Sequence, residues 1–113
     1  MANLGVGALV GTWTNTESRW QWIRRVDIRE DGESLLVRMH GGADTSPRQW
    51  GPQKVDAVYA AAPADSEAAG FRAVFETAEV QATLNQGLMV LVTFNEEPSR
   101  VTREFFAREG GGT

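Results

Sequence analysis

Two arginines in this chain sit in strand-like stretches whose alternate positions are apolar. Read with a period of two, Trp20, Trp22, Arg24, Val26 and Ile28 share one face, and Val101, Arg103 and Phe105 share another. Neither face carries an acid. A guanidinium keeps its charge, so burying it unpaired is costly and something must meet it. One answer is a carboxylate, enolate or phenolate of a ligand, gripped through two parallel hydrogen bonds. The other is structural, with one arginine stacked over Trp13 and the other reaching water or a loop carboxylate at a rim. Trp20 and Trp22 then form an aromatic wall, or simply fill an interior. Met39, Trp50, Tyr59, Phe71 and Phe75 complete the expected lining, with Trp50 placed where a lid would hinge.

Proton chemistry has few candidates. His40 is the only histidine, and Tyr59 the only tyrosine; these two are the candidate catalytic residues. The expected pairing puts His40 on the face opposite Met39, hence outside. Glu76 and Glu104 are expected to point outward, and Asp44 to approach a pocket mouth. No spaced acid pair suggests hydrolysis, no Ser/His/Asp set is present, and no phosphate-cradling glycine motif follows a strand. With one histidine and no cysteine, no metal site and no cofactor are expected.

Short alternating strands must position these groups. Leu9 to Thr14 reads as a first strand, preceded by a glycine-rich plug. Arg19 to Arg29 is the clearest strand, and Asp31-Gly32 signals a hairpin. Pairing Glu30 with Glu33 sets Ile28 against Leu35, Val26 against Val37 and Arg24 against Met39. After a loop over residues 40–52, Gln53 to Ala60 returns with Val55, Ala57 and Tyr59 on one side. Residues 71–85 are two strands turning at Thr77-Ala78, with Phe71 on Leu84, or one long bent strand. Asn85-Gln86-Gly87 fits a three-residue hairpin that pairs Leu84 with Leu88 and Ala82 with Val90. Ser99 to Arg108 is the last strand. About eight such strands with no helix signal predict an all-β, closed antiparallel up-and-down barrel, since closure removes exposed edges. Residues 1–109 form one barrel domain, and 110–113 a disordered tail.

Composition narrows the class. The 113 residues are 42% apolar and 23% charged, as in an ordinary globular domain. A net charge of −4 argues against nucleic acid. No leader-like or bilayer-length apolar run is seen, so no membrane association and a cytoplasmic location are expected. Ten of the eleven basic residues are arginine, which suits planar anions. Ile23, Leu36, Val58, Val74 and Phe106 are expected on outer faces, where they offer a homodimer surface.

The plug, Gly11-Thr12-Trp13, the run of hairpins and a late arginine together resemble the calycin group of lipocalins, fatty-acid-binding proteins and avidins. The resemblance implies that Trp13 packs at the closed end of a barrel under an arginine of the last strand, Arg103 or Arg108. The chain is also similar to a family of uncharacterised bacterial domains. The matching pieces are Gly11-Thr12-Trp13-Thr14-Asn15, Asp31-Gly32, Leu35-Leu36-Val37, Gly41 and Trp50-Gly51. His40 stands where that family has tryptophan, and Ala43 and Arg48 where it has cysteines, so any cysteine-dependent function is absent here.

These observations lead to one expectation and two competitors. The expectation is a calyx that binds a small apolar or aromatic molecule with a polar or acidic group. The competitors are a cofactor-independent cyclase or isomerase acting on a hydrophobic metabolite in the same calyx, and a structural or interaction module.

Overall fold

The computed structural model describes residues 4–43, 45, 49–96 and 99–110. Asp44 and the tail beyond Gly110 lie outside them. Among the described residues nine antiparallel strands form one sheet: β1 (Gly11–Asn15), β2 (Ile23–Asp31), β3 (Ser34–Gly41), β4 (Gln49–Lys54), β5 (Ala57–Ala60), β6 (Ala68–Val74), β7 (Ala78–Asn85), β8 (Leu88–Glu96) and β9 (Ser99–Arg108). Their order across the sheet is β4-β3-β2-β1-β9-β8-β7-β6-β5. The chain is thus two meanders, β1 to β4 and β5 to β9, joined in the sheet where β1 lies beside β9.

The all-β expectation holds, but the closed barrel does not: the sheet is curled and open, with β4 and β5 as its edges. The edges are successive in sequence. The Val55 amide donates to the Leu35 carbonyl of β3 (3.1 Å), and the Asp56 amide donates to the Arg72 carbonyl of β6 (2.8 Å). The single strand expected over Gln53 to Ala60 is therefore split, serving one edge and then the other. In crossing, its alternation slips by one residue. Val55 is buried and Val58 packs on the core, while Tyr59 points out at 47% exposure, not inward as expected.

Turn chemistry decides which residues face in. At the first hairpin Asp31 pairs with Ser34, with Gly32 (φ 63°) first in a two-residue loop. That moves the expected register by two, so Val26 meets Met39 and Ile28 meets Val37, and every face is kept. Residues 71–85 are two strands, and Phe71 meets Ala82 rather than Leu84.

The next hairpin differs by one residue. Gln86 (φ 54°) and Gly87 (φ 85°) both take positive φ, as a two-residue loop with matching twist demands, so Asn85 pairs with Leu88. A one-residue change inverts a strand. Met89, Leu91, Thr93 and Asn95 of β8 are buried, and so are Thr102, Glu104 and Phe106 of β9. Arg103 and Phe105 lie on the outer face, where the Arg103 guanidinium sits 5.1 Å from the Phe105 ring.

The concave face holds one continuous core that includes Trp13, Trp22, Ile23, Met39, Trp50, Phe71, Phe75 and Phe106. At the end where β1 begins, residues 6–10 form a turn, with the Leu9 amide on the Val6 carbonyl, and Val6 and Leu9 plug the core. Arg108 answers the expected late arginine. Its guanidinium lies 4.9 Å from the Trp13 ring and donates to the Ala8 carbonyl, while Trp13 Nε1 donates to the Leu9 carbonyl (3.0 Å).

Candidate functional site

At the opposite end of the concave face, β1 stops at Asn15 while β9 continues beside β8 to Ser99. The start of β2 therefore has no backbone partner on that side. Glu104 fills the gap. Its carboxylate accepts from the Trp22 amide (2.8 Å), the Ile23 amide (3.2 Å) and Asn15 Nδ2 (2.8 Å). Burial raises the Glu104 carboxyl above its ordinary range, and the three hydrogen bonds, which act the other way, do not offset this. Glu104 was expected to point outward; the inverted β9 turns it in.

Beside Glu104 the interior becomes polar. Thr93 and Thr102 face each other across β8 and β9 with both hydroxyls buried. Among the described residues, Thr93 Oγ1, Thr102 Oγ1 and Trp22 Nε1 have no hydrogen-bond partner. Arg100 follows the alternation of Thr102 and Glu104 along β9, is exposed, and also borders a groove lined by Glu76, Glu79 and Glu96. Its guanidinium lies 4.8 Å from the Trp22 ring and 6.0 Å from the Trp20 ring, with Trp20 44% exposed at the mouth. Among the described residues Arg100 has no carboxylate partner. A cation within 6.0 Å of two indole rings, at the same end of the sheet as three unsatisfied polar atoms, is an arrangement that can receive an oxygen-bearing planar group.

The expected site residues fall in four places. Trp22, Met39, Trp50, Phe71 and Phe75 are buried in the core, and Trp50 packs on Phe75 with ring centres 5.9 Å apart, so it is no lid. Trp20 stands at the mouth. Tyr59 and Arg103 face outward, and Arg103 borders a small groove that Trp20 and Glu104 also line.

Arg24 is displaced by a bulge. Ile23 pairs with Gly41 and Arg25 with His40, leaving Arg24 as the extra residue, exposed on the outer face rather than inside. The bulge also buries Trp22 and Ile23 together, and Phe106 is likewise core, so neither Ile23 nor Phe106 contributes an outer surface.

His40 is on the outer face as expected, but buried. Its Nε2 lies 2.8 Å from Asp27 Oδ2, and Arg25 Nη2 lies 3.2 Å from each. Burial works to raise the Asp27 carboxyl, but hydrogen bonds from His40 and Thr12 and the charge of Arg25 prevail and hold it below its ordinary value.

The chain matches no family model, no curated protein and no solved structure. The site therefore rests on its own geometry. Among the described residues no cluster of three or more histidine, cysteine, aspartate or glutamate side chains can hold a metal ion, and no helix is long and apolar enough to cross a membrane.

Sequence reasoning missed Glu104, Thr93, Thr102 and Arg100. The signal for them was the alternation Arg100, Thr102, Glu104, Phe106, which fits a strand with a polar inner end as well as Val101, Arg103, Phe105 fits an apolar one. The hairpin at Gln86-Gly87 decides between the two.

Proposed function

We propose that the protein binds a small, flat, largely apolar molecule carrying an acidic or carbonyl oxygen, at the end of the sheet where Trp20, Trp22 and Arg100 meet. The observation that carries the reading is the set of buried polar atoms on Trp22, Thr93 and Thr102 with no partner among the described residues, at the end of the sheet where the Arg100 guanidinium lies 4.8 Å from the Trp22 ring. Each such atom costs about 1–3 kcal/mol unless something bonds to it. Arg100 takes the orienting role expected of Arg24 and Arg103. The rest of the interior is packed with side chains, so the ligand occupies the mouth and not the length of the sheet.

On this reading the curled sheet works as a calyx of the lipocalin and avidin kind. One end is plugged by residues 6–10 and by Trp13 beneath Arg108, and the seam between β4 and β5 is bridged by Val55 and Asp56. His40 and Tyr59 lie outside the mouth, which favours binding over an isomerase or cyclase that uses them.

The test combines native mass spectrometry of the purified protein, to find a co-purifying molecule, with tryptophan-quenching titrations of planar aromatic carboxylates. Arg100→Leu should weaken an acidic ligand by about 2 kcal/mol, roughly thirtyfold. Thr102→Val should weaken binding while leaving the unliganded protein as stable or more so, because it removes an unsatisfied hydroxyl. Unchanged affinity in Arg100→Leu would overturn the proposal.

A further inference from the structure

A second concavity lies on the outer face, around the β2 bulge and the end of β3. We infer that it is an oxyanion site, for a small molecule that presents a phosphate group. Arg19, Arg24, His40, Ser18, Gln21 and Gln49 line it, with Trp20 and residues 41–43. The side chains of Arg19, Arg24, Ser18, Gln21 and Gln49 each offer a hydrogen-bond donor, and among the described residues no carboxylate lines the groove. That is notable in a chain with fifteen acidic and eleven basic residues.

Elsewhere on the outer face Arg25 and Arg72 are matched to acids, and Arg29 and Arg38, though without an ion pair among the described residues, border a groove that Asp27 and Glu109 also line. Arg25 lies 3.2 Å from Asp27, and Arg72 lies 3.0 Å from Glu79 and 3.4 Å from Asp56. Arg19 and Arg24 have no such partner among the described residues. The bulge puts Arg24 there: the one residue β2 gains between Ile23 and Arg25 turns that guanidinium from the core toward the groove. Bulges commonly re-aim a side chain next to a functional site.

The floor is tightly built. The Gly42 amide and the Thr45 hydroxyl both donate to the Trp22 carbonyl. A Cβ on Gly42 would fall 1.9 Å from the Gln21 carbonyl oxygen, so only glycine lets the two backbones approach this closely. His40 is held from behind, its Nε2 engaged by Asp27 at 2.8 Å, while Nδ1 has no partner among the described residues.

Two guanidiniums with several neutral donors suit a doubly charged tetrahedral anion better than a single carboxylate, which one arginine fork satisfies. Trp20 borders both this groove and the mouth, but none of Thr93, Thr102 or Arg100 lines the groove, so the inference rests on different polar groups from the site at the mouth.

The experiment is an amide and His40-ring NMR titration with phenyl phosphate, inorganic phosphate and acetate. Phenyl phosphate should give saturable shifts at Gly41, Gly42 and the His40 ring. Arg24→Gln and Arg19→Gln should each raise the phosphate Kd about tenfold, equivalent to 1.4 kcal/mol, while Arg29→Gln, exposed toward the other end of β2, leaves it unchanged. Because both residues are exposed, retention of the wild-type spectrum verifies that the variants fold. Shifts that do not saturate, an equal response to acetate, or affinity indifferent to Arg24→Gln would each overturn the inference.

Discussion

Replacing Glu104 by alanine removes an acceptor that serves three donors. Asn15 Nδ2 keeps a second acceptor in the Ile23 carbonyl, at 2.8 Å, so its loss is partial. The amides of Trp22 and Ile23 have no such alternative and stay buried at the start of β2. At about 1–3 kcal/mol for each stranded donor, the direct loss is roughly 2–6 kcal/mol. Removing a desolvated carboxylate returns part of that, and we expect a net destabilisation of about 2–4 kcal/mol. Urea unfolding followed by tryptophan fluorescence measures it, since Trp22 itself reports on the site. Glu104→Gln keeps one carbonyl acceptor and should lose less, about 1–2 kcal/mol.

The two variants also separate through pH. The folded-state pKa of Glu104 is raised, so the native state binds its proton more tightly than the unfolded chain does. Its contribution to stability is therefore fully present below the unfolded value and lost as pH rises through the raised one. The stability of the wild type relative to Glu104→Gln should decline from acid to neutral pH. An alanine variant within about 0.5 kcal/mol of wild type would refute the reasoning, because surface substitutions commonly fall in that range.

Two further outcomes test the frame around the site. Arg108→Met should cost about 1–2 kcal/mol by removing both the stack on Trp13 and the hydrogen bond to the Ala8 carbonyl; an unchanged denaturation midpoint would mean that the stack contributes nothing. Gly70→Ala places a Cβ 2.4 Å from the Ala82 carbonyl oxygen, a backbone atom that yields only if β6 and β7 part. A loss of about 2 kcal/mol or more is expected, with faster amide exchange at Phe71 and Arg72, and intact protection would show slack in that ladder.

Strand chemistry was legible in the sequence wherever alternation and glycine agreed. The last strand, Ser99–Arg108, lies where the pattern put it, and the Asp31-Gly32 hairpin kept its faces despite a two-residue shift, because an even shift preserves parity. The site was illegible because it depends on odd shifts. A glutamine at positive φ is uncommon, so Asn85-Gln86-Gly87 read as a three-residue loop, and that single residue exchanged Arg103 for Glu104 inside. The bulge at Arg24 and the crossing at Val55-Asp56 are further one-residue slips that local pattern does not announce. Each displaced one expected site residue, Arg24 in the first case and Tyr59 in the second. Trp20 and Trp22 were expected beside Arg24, whereas the guanidinium within 6.0 Å of both rings is that of Arg100.

The two-meander layout bears on how the chain finds its fold. Every ladder but one pairs strands that follow each other in sequence, so nearly all hydrogen bonding closes short loops. Only β1 with β9 joins residues from opposite ends, Trp13 with Arg108 and Asn15 with Phe106. Loop-closure entropy grows slowly with length, about 0.6 kcal/mol for each doubling, so this one long-range pairing is not prohibitive. Among the described residues it shares the topological cost of the domain with one short bridge, in which the Gly5 amide donates to the Ser66 carbonyl and the Gly5 carbonyl accepts from the Ala68 amide. Arg108 over Trp13 and Glu104 at the start of β2 flank the pairing of β1 with β9, one toward each end of the sheet. The contacts that plug one end and build the mouth at the other are therefore also those that fasten the first meander to the second.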